Sequence, residues 1–439
     1  MPALSCRDRL EQALARIADP HGEGARACLT VYADRARAAA DAADARARRG
    51  QSLGPLDGAI VSIKDLFDVA GEPTRAGSKI LAEEAPPAAA DAAVVQRLRA
   101  AGAVIIAKTN MTEFAFSGVG VNPHFGTPGN PRDRARVPGG SSSGAGVAVA
   151  DGMCDIAIGT DTGGSVRIPA ALCGLVGFKP SRQRVPTAGV FPLSYTLDSI
   201  GPIANSVDDC AKADWVMADA VVAGERFAPL EPLTLDGLSF GIAEGLPLDW
   251  LEDTVAAAFV LAVARLGRAG VRVSHEDLPL LDDMVAVNAK GGISPPEACA
   301  IHRDRIKRRA ADFDPNVLAR VERGCAVPGE DYAWMMQERS RLVAAMDARL
   351  SALDALVMPT TAIVAPTIAE VVDEKVFAAR NAALLRNTSV VNFFDLCAIS
   401  LPLPVEVGTM PVGLMLIARN GQDRKLLRIA AATMTHFRP

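Results

Sequence analysis

The sequence predicts a single α/β domain built on a large mixed, mostly parallel sheet. Short apolar runs typical of buried strands alternate with amphipathic stretches typical of helices. A β-α-β unit over residues 238–273 predicts a parallel pair of strands. The 439 residues contain no internal repeat and no low-complexity linker, so one large domain fits better than several.

In the first 180 residues, the hydrophobic pattern predicts an alternating series of helices and strands. The first 50 residues read as two solvent-facing helices that end at Gly50, with acidic residues interspersed among many arginines. Residues 122–138 form a long loop of the kind that is often functional. The predicted strands are 59–63, 103–107, 155–159 and 175–178, and the predicted helices between them are 91–101, 145–150 and 168–173.

The remaining chain continues the pattern with one large helical segment. Residues 181–202 are expected to be irregular, and residues 280–352 to be helical, polar and variable in the manner of a lid. The predicted helices are 206–223, 254–269, 376–391 and 423–437, and the predicted strands are 238–243, 271–273, 354–359, 404–407 and 412–417.

Composition narrows the possible classes of protein. Hydrophobic residues make up 49% and charged residues 22% of the chain, which is ordinary for a globular enzyme. A net charge of −5 argues against nucleic-acid binding, which needs a basic surface. No apolar run is long enough to span a membrane, and the N-terminus lacks a signal-peptide core. We therefore expect a cytoplasmic protein with no nucleic-acid or membrane partner.

The cysteines and histidines give no sign of a metal site. The eight cysteines form no C-x-x-C pair and are predicted to be reduced, buried thiols. Cys154 and Cys173 flank the most glycine-rich stretch, but their apolar surroundings favour packing. The five histidines lack metal-binding spacing and are interpreted as surface or loop residues. No metal and no cofactor are expected.

Two glycine-rich corners carry the candidate nucleophiles. Residues 139–144 contain Ser141, and residues 163–165 end in Ser165 after a predicted strand. Glycine lets the backbone turn sharply and approach a bound molecule. A serine hydroxyl needs a base, and Lys64 can act as one if burial lowers its pKa from about 10.4 toward about 7–8. Each residue alone is more typical of a turn or a solvated strand end, so the combination carries the prediction.

The spacing of these motifs matches a known family. Residues 139–144 and 159–167 fit the patterns G-G-S-S-[GS]-G and G-x-D-x-G-G-S-[IV]-R, and the chain resembles the amidase signature family of serine hydrolases. Lys64 lies in a segment similar to the family's V-x-x-K-D, and residues 108–111 and 129–131 also match.

The resemblance extends over roughly residues 57–202 and implies an α/β/α sandwich around a large mixed sheet, the amidase signature fold. We expect one such domain over residues 1–439. Within it, we expect a helical N-terminal segment over 1–50, a catalytic core over about 55–205 and a variable helical segment over about 280–352.

The resemblance also implies catalytic roles. Ser165 would attack the amide carbonyl to form an acyl-enzyme, and Ser141, matching the family's cis-peptide serine, would relay the proton. Lys64 would be the base and later the acid. The implied oxyanion hole consists of the backbone N–H groups of Thr162, Gly163, Gly164 and Ser165.

Further residues are expected to support this triad. Asp161 and Arg167 would brace the loops through charge-assisted hydrogen bonds, and Ser142 and Ser143 would orient Lys64 or its neighbours. Many family members carry glycine at the position of Ser143, although serine also occurs there. The residues that match the family's acyl-pocket segment are Ala115, Phe116 and Ser117.

The substrate stays undefined at the level of sequence. The favoured function is hydrolysis of a small carboxamide or ureido-type substrate. The alternatives are a glutaminase-type A subunit of a tRNA-dependent amidotransferase and a non-catalytic binding protein. Residues 191–202 resemble the free-standing hydrolases more than the amidotransferase chain. The basic run 302–309 could bring Arg303 or Arg305 near an anionic substrate, although such runs are more often solvated. A homodimer is possible.

Overall fold

A single sheet forms the middle of the protein. In the residues described by the computed structural model, 4–218, 227–404, 406 and 408–437, eleven strands join this sheet. In chain order they are β1 (Cys28–Val31), β2 (Ile60–Lys64), β3 (Val104–Thr109), β4 (Ile156–Asp161), β5 (Val176–Lys179), β6 (Ser199–Ala204), β7 (Ser239–Ala243), β8 (Arg272–Glu276), β9 (Ala355–Pro359), β10 (Cys397–Pro402) and β11 (Gly413–Ala418). Their order across the sheet is β1-β3-β2-β4-β6-β5-β10-β11-β9-β7-β8.

Helices cover the sheet and extend beyond it. Over the same described residues they are α1 (Cys6–Ala18), α2 (Gly24–Ala27), α3 (Ala33–Arg48), α4 (Lys79–Glu84), α5 (Ala93–Ala100), α6 (Ser143–Ala150), α7 (Arg167–Cys173), α8 (Val207–Met217), α9 (Asp253–Arg268), α10 (Leu280–Asn288), α11 (Ser294–Arg309), α12 (Pro315–Cys325), α13 (Gly329–Arg349), α14 (Glu374–Leu385), α15 (Thr388–Phe393) and α16 (Asp423–Phe437). None of the helices described is both long enough and apolar enough to cross a membrane.

Two apolar layers hold helices against opposite faces of the sheet. On β2, Ile60 packs into a cluster with residues of α1, α3 and α6, whereas Val61 and Ile63 pack into a second cluster with residues of α5, α8 and α16. This division follows from strand geometry, because successive side chains point to opposite faces. The predicted α/β/α sandwich around a mixed sheet is confirmed.

The expectation that this sheet is mostly parallel is wrong. Among the described strands, four of the ten neighbouring pairs are parallel: β2 with β3, β2 with β4, β7 with β8, and β7 with β9. The other six pairs are antiparallel. One cause is that β5 and β6 follow each other without a helix between them, and a loop connection suits antiparallel strands. The predicted β-α-β unit is present as β7, α9 and β8.

The sequence prediction missed two strands, β1 and β6. The N-terminal helices are separated by β1, a short edge strand antiparallel to β3. The stretch 181–202, expected to be irregular, contains the start of β6, whose Gly201 and Pro202 are unfavourable in strands. Pairing with β4 and β5 on both sides outweighs that local preference.

Three other predicted elements differ in their bounds. The helix expected over 376–391 is divided into α14 and α15. The strand expected over 404–407 lies earlier, as β10, and residues 405 and 407 are outside the described residues. The helix expected over 206–223 is α8, and residues 219–223 are also outside the described residues.

The prediction of eight reduced cysteines is wrong for two of them. Cys299 on α11 and Cys325 at the end of α12 form a disulfide, with their Cα atoms 5.2 Å apart. Packing of α11 against α12 brings the two residues together, and their separation in sequence fits no motif. The other six cysteines are free and buried, as predicted.

The sheet sets the position of the catalytic candidates. β2 and β4 are parallel neighbours, with Ile63 opposite Ile158. Because parallel strands end at the same edge of a sheet, Lys64 and Asp161, their last residues, reach that edge together. Helix α7 begins two residues after Ser165 and packs on β5, where Gly177 leaves room for it.

Gly177→Ala should destabilise the fold beside the candidate site. A Cβ atom at position 177 would lie 2.5 Å from Ala170 Cβ and 2.9 Å from the Val166 carbonyl oxygen, so α7 would have to move. Overpacking of this kind costs about 1–3 kcal/mol of unfolding free energy, measurable by chemical denaturation.

Gly267→Ala on α9 is the matched control, since no atom lies within 4 Å of the added methyl group. Alanine is also the better helix former, so its stability should be unchanged or slightly raised. Equal unfolding midpoints for the two variants would contradict the prediction.

Candidate active site

The glycine corners shape the backbone around both serines. Gly139 has a φ of 83°, and the peptide bond between Gly140 and Ser141 is cis, as the resemblance implied. A side chain at position 140 would meet the Gly120 backbone at 2.7 Å, which explains the need for glycine. In the second corner Gly164 has a φ of 136°, in the region that only glycine adopts readily.

Lys64 is buried and bonded to two hydroxyl groups. Its Nζ atom donates to Ser141 Oγ at 2.8 Å and to Thr160 Oγ1 at 2.9 Å. The side chain is 0% exposed, although it carries an amine. The sequence placed Lys64 at the end of a buried strand, and β2 confirms that placement with all five residues buried.

Burial changes the acid–base properties of this amine. Loss of solvation lowers the pKa of Lys64 to about 7, although the nearby carboxylates of Asp198 and Asp161 have the opposite effect and raise it. Desolvation disfavours the charged form of any buried group. A sizeable fraction of Lys64 is therefore uncharged near neutral pH, as a base requires.

Ser165 lies in a loop that folds back on the end of β4. Asp161 Oδ2 accepts the N–H groups of Val166 at 3.1 Å and Arg167 at 3.4 Å, which closes the loop around Ser165. Ser165 is 4% exposed and lines a cavity of about 200 Å³. Within the described residues, the backbone N–H groups of the predicted oxyanion hole donate to no protein acceptor; they belong to Thr162, Gly163, Gly164 and Ser165.

Asp161 and Arg167 form a completely buried ion pair. Arg167 donates to Asp161 through Nη2 at 2.7 Å and through Nε at 3.0 Å. Burial by itself raises the pKa of Asp161, but the Arg167 guanidinium outweighs that effect and lowers it to about 2. Asn392 bonds both partners, and Thr388 Oγ1 donates to the Gly163 carbonyl at 2.6 Å. The pair therefore fixes the loop that carries Ser165.

The two serines after Ser141 are placed differently from each other. Ser142 Oγ lies 3.5 Å from the carbonyl oxygen of Thr160, so it touches the residue that binds Lys64. Ser143 begins α6, and its hydroxyl is buried with no hydrogen-bond partner in the described part of the chain. Neither hydroxyl is bonded to Lys64 itself.

The predicted pocket residues lie on the wall of the Ser165 cavity. Ala115, Phe116 and Ser117 line it, together with residues that come much later in the chain. Those later residues belong to α10, α11, α12, α14 and α15 or the loops before them. The cavity is thus closed on one side by the first 200 residues and on the other by the helical segment 280–352 together with α14 and α15.

Sequence reasoning missed three polar residues of the site. Thr160 binds Lys64 but falls inside an apolar strand, one position before the conspicuous Asp161. Asp198 accepts the Leu193 N–H at 2.9 Å and the Ser194 N–H at 3.1 Å. Burial raises the pKa of Asp198 to about 6, although these bonds and Lys64 lower it. Arg320 lines the cavity, and nothing in its local sequence distinguishes it from other arginines.

The basic run 302–309 does not line this cavity. Arg303 is exposed, and Arg305 lies over the Phe191 ring with its Cζ atom 5.2 Å from the centroid. Arg309 forms ion pairs with Glu83 and Glu84. The run is therefore mainly a paired, solvated face.

His302 corrects the interpretation of the histidines as surface or loop residues. It is 0% exposed and packs against Phe114, with the ring centroids 4.1 Å apart. Burial, helped by Arg305, lowers its pKa to about 3, so it is a neutral core residue. An aromatic cluster that includes Phe191 and Phe313 surrounds it.

Comparison with known proteins shows the family of this chain. A family model described as Amidase matches residues 8–427. A 2-amino-5-chloromuconic acid deaminase from Comamonas testosteroni is 36% identical over 400 residues, covering 90% of this chain and 85% of the relative. The AtzE chain of a 1-carboxybiuret hydrolase from Pseudomonas sp. (strain ADP) is 38% identical over 340 residues, covering 76% of this chain and 72% of the relative.

Two further likenesses extend over nearly the whole chain. The A subunit of a glutamyl-tRNA(Gln) amidotransferase from Symbiobacterium thermophilum is 36% identical over 461 residues, covering 98% of this chain and 93% of the relative. A solved, inhibitor-bound protein complex that bears on the origins of an s-triazine catabolic enzyme contains a chain with a TM-score of 0.88 and 34% identity, covering 99% of this chain and 97% of that one.

Lys64→Met should change how stability depends on pH. Between about pH 7 and pH 10, residue 64 binds a proton in the unfolded chain but not in the folded one. The wild type therefore gains unfolding free energy as pH rises, by up to about 1.4 kcal/mol per pH unit, and the variant lacks this gain. From pH 7 to pH 9, chemical denaturation should show the wild type gaining on the order of 2 kcal/mol relative to Lys64→Met.

Lys375→Met is the control, because Lys375 is exposed in the folded protein and meets water in both states. Its stability relative to the wild type should be the same at both pH values. If the difference in unfolding free energy between the wild type and Lys64→Met is also the same at both pH values, the amine of Lys64 is not desolvated.

Proposed function

The chain belongs to the amidase family of carbon–nitrogen hydrolases, and we propose that it cleaves a small carboxamide or ureido-type substrate through an acyl-enzyme on Ser165. The ureido class is included because one relative is named a 1-carboxybiuret hydrolase. The products are ammonia or an amine together with a carboxylic acid from a carboxamide, or a carbamic acid from a ureido substrate.

One observation carries the proposal: a buried amine in direct contact with a hydroxyl group. Lys64 Nζ is 2.8 Å from Ser141 Oγ, and burial lowers the pKa of Lys64 to about 7. A buried lysine of this kind suits proton transfer at neutral pH. Both hydrogen-bond partners of this amine are neutral hydroxyl groups, and Lys64 makes no ion pair with any described residue.

The first step is attack on the amide. Ser165 Oγ bonds to the carbonyl carbon and gives its proton to Ser141 Oγ, while Ser141 passes its own proton to the neutral amine of Lys64. The electron pair of the carbonyl π bond moves to oxygen, which becomes an oxyanion. The unpaired backbone N–H groups between Thr162 and Ser165 are the donors available to stabilise it.

The second step breaks the carbon–nitrogen bond. The oxyanion re-forms the carbonyl group, and the proton on Lys64 returns through Ser141 to the departing nitrogen, which leaves as ammonia or an amine. Water then attacks the acyl-enzyme, using Lys64 as the base again. The acid product leaves, and the proton returned to Ser165 Oγ restores the enzyme.

Other residues would position these groups. Thr160 accepts a second hydrogen bond from the amine, which restricts its rotation. The Asp161–Arg167 pair fixes the loop that carries Ser165. Asp198 accepts a hydrogen bond from Thr162 Oγ1, at the start of the proposed oxyanion hole. Such support matters because catalytic groups work only in a narrow range of geometry.

A second candidate function is the glutaminase reaction of a tRNA-dependent amidotransferase. It is favoured by relatives named as the A subunit of such an enzyme, which match nearly the whole chain. The two candidates differ in their need for partners. A lone purified chain that releases ammonia rapidly from simple amides supports the free-standing hydrolase, whereas activity that requires added partner chains and glutamine supports the alternative.

Ser165→Ala should abolish turnover without unfolding the protein. Removing the nucleophile of a serine hydrolase lowers kcat by at least about 10⁴-fold. The measurement is ammonia release from a panel of aliphatic, aromatic and ureido amides. A fluorophosphonate probe, followed by mass spectrometry of the labelled peptide, tests the nucleophile independently of the substrate.

Ser340→Ala is the matched control, because Ser340 is exposed on α13 and bonds only its own helix, at the Met336 carbonyl. It should keep both ammonia release and labelling. Persistent hydrolysis by Ser165→Ala at the wild-type rate would overturn the proposed nucleophile.

The pH profile should follow the ionisation of Lys64. The neutral amine is the active form, so kcat/KM for an uncharged amide should rise with pH through an inflection near pH 7. Asp198→Asn should move this inflection to lower pH, because the Asp198 carboxylate raises the pKa of Lys64. A profile that is flat from pH 5.5 to 8.5, or that does not move in the variant, would contradict the assignment of Lys64 as the base.

A further inference from the structure

The cavity beside Ser165 has one charged side chain on its wall. Among the described residues that line it, Arg320 alone carries a charge; the others are apolar, glycine or neutral and polar. Arg320 is on α12, within the helical segment 280–352. It also lines a wider groove outside the cavity, and Asn288 and Leu385 are shared by both spaces. Arg320 therefore stands where the groove meets the cavity.

The Arg320 guanidinium has no partner of opposite charge. In the described part of the chain it makes no ion pair and no hydrogen bond, and its Cζ atom lies 4.4 Å from the centroid of the Phe116 ring. Arg167, the other arginine close to Ser165, is instead fully paired with Asp161. Arg323, one turn further along α12, is exposed and donates to the Ala319 carbonyl of its own helix.

Arg320 has no anion beside it to offset the solvation that its guanidinium loses on the cavity wall. Burial, together with repulsion from Arg323, lowers the pKa of Arg320 to about 10, so the group is still charged at neutral pH. Partly buried charges cost free energy unless a partner offsets the lost solvation. An anion bound in the cavity would supply that partner, and the cation–π contact with the Phe116 ring favours the observed position of the guanidinium.

We propose that Arg320 is the specificity-determining residue of the cavity and that the substrate is a small amide or ureide bearing a carboxylate, which the Arg320 guanidinium binds. The inference deepens the proposed function, and it rests on Ser165 being the nucleophile of the same cavity. A carboxylate matches the planar fork of guanidinium donors in a bidentate pair. A phosphate carries up to two negative charges, and the cavity wall offers a single cation.

The first experiment compares amides that differ only in the carboxylate. Malonamate, succinamate and glutaramate are paired with propionamide, butyramide and valeramide, in which a methyl group replaces the carboxylate. The wild type should prefer the charged member of at least one pair by more than tenfold in kcat/KM. In Arg320→Gln the KM for that charged amide should rise by about ten- to a hundredfold, with little change in kcat and little change for the neutral amide.

Arg323→Gln is the matched control. It removes the same charge from the same helix, at an exposed position outside the Ser165 cavity, and should keep the preference for the charged amide. Circular dichroism and thermal unfolding of both variants check that the helix is intact. If Arg320→Gln lowers kcat/KM equally for charged and neutral amides, Arg320 is a packing residue and the proposal is overturned.

A binding measurement separates this inference from the proposed function. Calorimetric titration with malonate, succinate and glutarate needs no turnover. At least one of them should bind the wild type, and Arg320→Gln should weaken that binding at least tenfold while Arg323→Gln does not. If no dicarboxylate binds, or if inorganic phosphate binds more tightly than all three, the carboxylate proposal is overturned even where Ser165 reacts with the fluorophosphonate. If the carboxylate binds through Arg320 but Ser165 does not react, the proposed nucleophile fails alone.

Discussion

The removal of one amine from water governs the chemistry that we propose for this protein. Lys64 is an ordinary lysine in sequence, and its unusual pKa comes from its burial at the end of β2, which lies between β3 and β4 in a sheet covered on both faces. The hydroxyl groups of Ser141 and Thr160 accept its hydrogen bonds without adding charge. A carboxylate in either place would hold the amine in its protonated form, so the neutrality of these partners matters as much as their position.

The nearby buried ion pair has a complementary effect. Asp161 follows Thr160 directly, yet its charge is balanced by Arg167 through two hydrogen bonds. The pair can therefore organise the loop of Ser165 while its field at Lys64 is reduced. The residues of one short strand end thus make different contacts: Thr160 bonds the buried amine of Lys64, and Asp161 fixes a loop. That division depends on the alternation of side chains along β4.

The sequence contained most of the information about the catalytic core and little about the substrate side of the cavity. Strand periodicity placed Lys64 at the end of a buried strand, and the glycine corners pointed to Ser141 and Ser165. Sharp backbone turns require glycine at fixed positions, and such a requirement is visible in the sequence nearby. Thr160 and Arg320 have no comparable local pattern, because their importance comes from contacts with Lys64 and Phe116, which are distant in the chain. The same limit applies to β6, where Gly201 and Pro202 oppose strand formation locally and sheet pairing decides the outcome.

The two sides of the cavity have different origins, and this has a consequence for specificity. The proton transfer that we propose needs fixed distances, and its groups lie at strand ends and tight corners that tolerate little change. Part of the opposite wall comes from the helical segment 280–352, where α11 and α12 pack together and are joined by the Cys299–Cys325 disulfide. A helix pair held in this way can present a different side chain at position 320 without disturbing the sheet edge. On our proposal, the charge at that single position selects the substrate while the hydrolytic chemistry stays the same.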